Sequence, residues 1–160
     1  MSEVESLAHA LTARGWMLAA AESCTGGLVA ATCTSLAGSS DWFERGFVTY
    51  SNAAKTELLG VPAALIEQHG AVSAEVAQAM AEGALARSKA QIAVAVTGIA
   101  GPGGATPGKP VGAVWLAVAA VGRTTGVQRL QLQGDRASVR AQTVEHALQT
   151  LIATLAGLGP

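Results

Sequence analysis

Along the 160 residues the spacing of apolar positions changes period several times. Val4, Leu7, Ala8 and Leu11 recur at helical spacing and Gly15 follows, the pattern of a short amphipathic helix closed by a left-handed residue. Residues 16–21 form an unbroken apolar run that stops at Glu22-Ser23-Cys24-Thr25-Gly26-Gly27, and residues 28–36 resume with small and apolar side chains. This predicts a buried strand, a glycine turn and a helix. Residues 46–50 read as a second short strand, and Ser51-Asn52 can open a helix carrying Lys55, Leu58 and Leu59 until Pro62 interrupts it.

A longer helix follows. Ser73 is a candidate N-cap, with Val76, Met80 and Ala84 on one ridge and Ala77, Ala81 and Leu85 on the next. Residues 91–96 are a β-branched and alanine run that ends in the glycine-rich loop 97–104, and residues 105–110, with two prolines, predict a surface flap. Residues 111–121 and 126–132 form two extended runs around Gly122-Arg123-Thr124-Thr125, an antiparallel hairpin. Asp135 can cap a final helix whose inner face runs from Val139 to Leu155.

Strands alternating with helices, then a late hairpin, predict an α/β fold. The expected architecture is a three-layer α/β/α sandwich around a mixed, mostly parallel sheet, forming a single domain over residues 1–160. In such sheets ligands collect beyond the carboxyl ends of the strands, so the turn after residue 21 and the loop after Val96 are the first places to look.

Composition narrows the function classes. Half of the residues are hydrophobic and 34 are alanine, but only six are aromatic, which implies a core of small side chains in close layers. Ten basic and eleven acidic residues leave a net charge of −1, with no basic stripe for nucleic acid or anionic lipid. Neither a signal peptide nor a membrane span is evident, and two cysteines, Cys24 and Cys33, do not make a disulfide scaffold; a cytoplasmic protein is expected. His9, His69 and His146 have no partner at metal-ligand spacing, so no catalytic metal and no cofactor are predicted.

Three features can carry chemistry. The turn 22–27 sets a hydroxyl and a thiol at a strand end beside glycines and a helix start, which suits either a nucleophile next to an oxyanion site or a plain helix cap by Ser23 or Thr25. Lys55 stands near a helix N-terminus, where the macrodipole disfavours a cation; a desolvated amine there would be a base, a solvated one a surface lysine. Arg136 and Arg140, one turn apart, can bind a phosphate or carboxylate or face solvent.

Taken together, AESCTGG at 21–27, GSSDWFERGFVTYSNAAK at 38–55, QHGAVS at 68–73, TGIAGPGG at 97–104 and KPVGAVW at 109–115 resemble the CinA C-terminal domain family in order and spacing. The likeness runs from about Leu7 to Ala156. It implies a metal-free α/β/α amidohydrolase that converts nicotinamide mononucleotide to nicotinic acid mononucleotide and ammonia in pyridine-nucleotide salvage. Carried onto this chain, it implies Ser23 as nucleophile, Lys55 as its activating base and Tyr50 beside them. Backbone N–H groups of Thr25, Gly26 and Gly27 are then the natural oxyanion donors. Expected substrate contacts are Ser39, Ser40, Asn52, Thr97, Gly98, Gly101, Arg136 and Arg140, since a phosphate wants hydroxyl, amide and guanidinium donors together. Relatives that carry an N-terminal pyrophosphatase-like domain exist, and 160 residues leave no room for one. A homodimer is also implied, with Trp42 and Phe43 expected as exposed apolar residues. The competing readings are a catalytically silent competence- or damage-associated binding domain of the same fold, and an amidase for another small amide.

Overall fold

The computed structural model describes residues 1–160. Five strands, β1 (Leu18–Glu22), β2 (Phe43–Val48), β3 (Ile92–Gly98), β4 (Ala113–Ala120) and β5 (Gly126–Gln131), form one sheet in the order β2-β1-β3-β4-β5. β1 pairs in parallel with β2 and β3, while β3–β4 and β4–β5 are antiparallel. The pairings are evenly divided, and β4 alone runs against the other four strands. Helices α1 (Glu3–Arg14), α2 (Leu28–Thr34) and α6 (Arg136–Gly157) cover one face; α3 (Asn52–Leu59), α4 (Ala63–His69) and α5 (Ala74–Ala86) cover the other. This is the expected α/β/α sandwich with its late hairpin.

The alternation of side chains along each strand explains the alanine content. On the α1/α2/α6 face the central strands present Leu18, Ile92, Val94, Val96, Leu116 and Val118. On the opposite face they present Ala19, Ala21, Ala93, Ala95, Ala117 and Ala119. A face of methyl groups lets α5, itself lined by Ala77, Ala81 and Ala84, lie close to the sheet. The same closeness extends to α3. A Cβ at Gly83 would overlap the Leu59 carbonyl oxygen and stand 3.0 Å from its carbon, so glycine is what allows the end of α3 to rest on α5.

Helix ends follow local chemistry. Ser2 and Glu5 form a capping box on α1, Ser51 caps α3, Ser73 caps α5 and Asp135 caps α6. Helix α4, not anticipated from the sequence, starts directly after Pro62, whose fixed φ of −59° suits a helix start.

Trp42 corrects an expectation. It is only 2% exposed and belongs to the core beneath α1 and α6, because the single 3-10 turn Ser39–Asp41 folds the chain inward before β2. The Trp42 carbonyl accepts from the Leu18 N–H at 2.7 Å, and its ring meets Phe43 edge to face. Phe43 is half-buried against the same cluster, so neither residue is a free apolar surface. No helix is long and apolar enough to cross a membrane.

Candidate active site

The carboxyl end of β1 is pinned between its neighbours. The Glu22 carbonyl accepts from the Thr49 N–H at 2.8 Å, and the Ser23 N–H donates to the Val96 carbonyl at 3.1 Å. Alternation along the strand turns Glu22 toward α2 and Ser23 toward α3. Lys55 enters from α3, one turn beyond the Ser51 cap, and is 1% exposed. Its Nζ lies 3.0 Å from Ser23 Oγ, 3.0 Å from the Thr49 carbonyl and 3.4 Å from the Tyr50 carbonyl.

This contact set can accommodate a neutral amine. A neutral amine has two N–H groups and one lone pair; the two carbonyls can take the two protons, and the lone pair is left for the Ser23 hydroxyl. No carboxylate pairs with Lys55, since the two ion pairs of the chain are Arg45–Glu44 and His69–Glu75. Burial pushes the Lys55 pKa below the ordinary lysine value, opposed more weakly by the neighbouring Cys24. The Cys24 thiol is driven up to about 11, chiefly by burial, so it stays protonated beside the serine.

The turn that carries Ser23 is held by two charged side chains. Glu22, 1% exposed, accepts from Thr25 Oγ1 at 2.6 Å, Val29 N–H at 2.8 Å and Ala30 N–H at 3.0 Å. It therefore caps α2 in place of Ser23 or Thr25, the residues the sequence suggested, and the N-cap Gly27 supplies no side chain. Arg140 reaches over from α6, donating Nε to the Cys24 carbonyl and Nη2 to the Thr25 carbonyl, both at 3.1 Å. Arg136 donates at 2.9 Å to both the Gly101 carbonyl and the Tyr50 hydroxyl. The two arginines thus tie α6 to the loops after β1, β2 and β3, and neither simply faces solvent.

Other expected residues separate into two groups. Thr97 lies at the end of β3 on the same face as Ser23, buried, with its hydroxyl donating to the Ala71 carbonyl at 2.9 Å. Of the three oxyanion candidates, the Gly26 N–H is already committed to the Ser23 carbonyl at 3.0 Å, whereas those of Thr25 and Gly27 have no partner within the chain. Tyr50 touches Lys55 through its backbone carbonyl; its phenol is turned to Arg136.

The remaining expected contacts lie in different places. Because β2 runs parallel to β1, the 3-10 turn before it, with Ser39 and Ser40, lies at the opposite end of the sheet, where Leu18 pairs with Phe43. Gly98 and Gly101 are accounted for by packing: a Cβ on either would stand 2.6 Å from Val114 or Val111, so the loop needs them to lie against the hairpin. Asn52 is exposed and lines a groove between α3 and α4. Beside the serine turn opens a cleft of about 650 Å³ lined by Ala100, Pro102, Val111, Gly134, Asp135, Arg136, Ala137 and Arg140.

Glu22 holds the serine turn although the motif pattern assigns it no role. The signal was there: a single charge closing a wholly apolar strand must be satisfied inside the fold. No three His, Cys, Asp or Glu side chains are grouped closely enough to hold a metal ion.

Comparison with known proteins gives a consistent picture. The profile of the CinA C-terminal domain matches residues 2–155. The chain is 52% identical over 143 residues to the nicotinamide-nucleotide amidohydrolase PncC of Enterobacter agglomerans, covering 89% of this chain and 87% of that one. It is 53% identical over 148 residues to the protein of the same name from Escherichia coli, covering 92% and 89%. The crystal structure of a competence damage-inducible protein A from Klebsiella pneumoniae superposes with a TM-score of 0.93 at 42% identity, covering 96% of this chain and 95% of that one.

Proposed function

The chain belongs to the CinA C-terminal domain family, and from that premise we propose that it hydrolyses the carboxamide of nicotinamide mononucleotide, with Ser23 as nucleophile and Lys55 as base. The observation that carries the mechanism is the buried, carboxylate-free Lys55 with Nζ 3.0 Å from Ser23 Oγ and two carbonyls on its remaining positions. The names of the amidohydrolase relatives support the substrate.

Amide hydrolysis without a metal needs an activated nucleophile, donors for the oxyanion and a proton for the leaving nitrogen. Ser23 Oγ attacks the carboxamide carbon while its proton passes to Lys55 Nζ. The tetrahedral oxyanion is met by the free N–H groups of Thr25 and Gly27. Lys55 then gives its proton to the departing nitrogen, ammonia leaves, and an ester joins Ser23 to the nicotinoyl group. Water, deprotonated by the same lysine, releases nicotinic acid mononucleotide. Arg136 and Arg140, at the mouth of the adjoining cleft, are the residues best able to meet a phosphate, with Thr97 on the α3 side as a further polar contact. Tyr50 holds Lys55 through its carbonyl and Arg136 through its phenol. The reading extends to a pyridine-nucleotide salvage role in the cytoplasm and to a homodimer.

The test is to incubate the protein with nicotinamide mononucleotide and follow ammonia and nicotinic acid mononucleotide together. Equal amounts of both are expected from the parent and none from Ser23→Ala or Lys55→Ala; a parent that yields neither product refutes the substrate assignment.

A further inference from the structure

Glu22 is not needed for the proton path described above, yet it is a buried carboxylate five residues before the N-cap of α2, with no cation paired to it. Burying such a charge is costly, and the N-cap Gly27, at a φ of 111° that side-chain-bearing residues rarely adopt, offers no side chain to cap the helix locally. What the distant carboxylate does that a local cap cannot is join the end of β1 to the first turn of α2 across the serine turn. Its Oε1 accepts from both the Thr25 hydroxyl and the Val29 N–H, and its Oε2 from the Ala30 N–H.

Thr25 is therefore gripped from two sides, its hydroxyl by Glu22 and its carbonyl by Arg140 Nη2 at 3.1 Å. Arg140 Nε also holds the Cys24 carbonyl. In a trans peptide the carbonyl and the following N–H point in opposite directions. With the Cys24 carbonyl aimed at α6, the Thr25 N–H points away from α6, toward the side from which Lys55 reaches Ser23. That N–H has no partner in the chain, whereas the next one along the turn is spent on the Ser23 carbonyl.

We infer that Glu22 is a positioning residue: acting through the Thr25 hydroxyl and the start of α2, it aims the Thr25 N–H at the oxyanion that forms when Ser23 attacks. This rests on the Ser23–Lys55 reading and adds the device that orients its oxyanion donor. Glutamine at position 22 keeps the shape but turns an NH2 group toward donors that the carboxylate accepts.

The experiment compares the parent with Glu22→Gln, Thr25→Val and Thr25→Ser, using a fluorophosphonate probe as well as nicotinamide mononucleotide. With the probe, a Ser23 Oγ–phosphorus bond forms, the phosphorus–fluorine bond breaks, fluoride leaves and the hydroxyl proton goes to Lys55. Negative charge gathers on the phosphonyl oxygen, so the rate reads the oxyanion donor without reference to the natural substrate. Glu22→Gln and Thr25→Val are expected to label about 10- to 100-fold more slowly and to lose kcat by the same factor, somewhat less than the roughly 100- to 1,000-fold cost of removing an oxyanion donor outright. KM and the acid limb of the pH profile should stay in place, and Thr25→Ser should restore the parent rate. A merely structural role would not leave that pattern.

Labelling and turnover of Glu22→Gln at the parent rate, or a loss confined to KM, overturns the inference. If Glu22→Gln does not fold, the Thr25→Val and Thr25→Ser pair decides on the same criteria. A parent that is labelled but releases no ammonia retires the substrate assignment alone, and the labelling rates still judge Glu22. A parent that is not labelled at all overturns both.

Discussion

Gly83→Ala tests how the fold sets the geometry of the lysine. The new methyl would overlap the Leu59 carbonyl oxygen, and its carbon would stand 3.0 Å from the Leu59 carbonyl carbon and 3.2 Å from its Cβ. Ordinary carbon contacts lie at about 3.5–4.0 Å, so α3 must retreat by roughly half an ångström or more. All three clashing atoms are backbone or attached directly to it and cannot swing aside. Lys55 lies four residues before Leu59 on the same short helix, so the shift reaches the 3.0 Å contact between Nζ and Ser23 Oγ. Overpacking of this kind costs about 1–3 kcal/mol, partly offset by about 1 kcal/mol of better helix propensity. A reacting pair displaced by 1 Å can lose on the order of a hundredfold in rate. The expected variant is therefore folded, with a urea midpoint lowered modestly or not at all, and with kcat for ammonia release down at least tenfold. Parent-like kcat would refute the idea that the α3–α5 contact positions Lys55.

Further outcomes follow from the same structure. Lys55 must be neutral to act, so kcat/KM should fall as pH drops through its lowered pKa, with the acid limb below the ordinary lysine range. Between that value and 10.5 the unfolded chain binds the proton that the folded chain refuses, so stability rises with pH across this window. Lys55→Met should abolish both the activity and this slope; denaturant titrations at several pH values measure it. Trp42→Ala should cost about 3–5 kcal/mol, as expected for emptying a buried indole site, and leave the oligomeric state read by light scattering unchanged. Dialysis against a chelator should leave turnover unchanged, since no metal-binding cluster of side chains is present.

The strand–turn–helix around Ser23, the caps at Ser73 and Asp135 and the late hairpin were legible because each rests on local spacing and turn chemistry. The Ser23–Lys55 pair was legible only as a resemblance between separate motifs; nothing in the stretch between them states that α3 turns its fourth residue inward. Ser39 and Ser40 sit in the same motif as Lys55, but a parallel β2 sends the two ends of that motif to opposite ends of the sheet. Trp42 was misread for a related reason, as its loop-like neighbours do not reveal that a single 3-10 turn drops it under α1. The one-turn spacing of Arg136 and Arg140 is visible in the sequence, while their partners, three loops brought together by the sheet, depend on long-range topology.

The most direct measurement is a rapid acid quench during turnover of nicotinamide mononucleotide, followed by mass analysis of the peptide that contains Ser23. The expected result is the mass of a nicotinic acid mononucleotide acyl group on Ser23, absent from Ser23→Ala and Lys55→Ala, neither of which should release ammonia. Full turnover by Ser23→Ala, or an acyl group on any other residue, would contradict the mechanism.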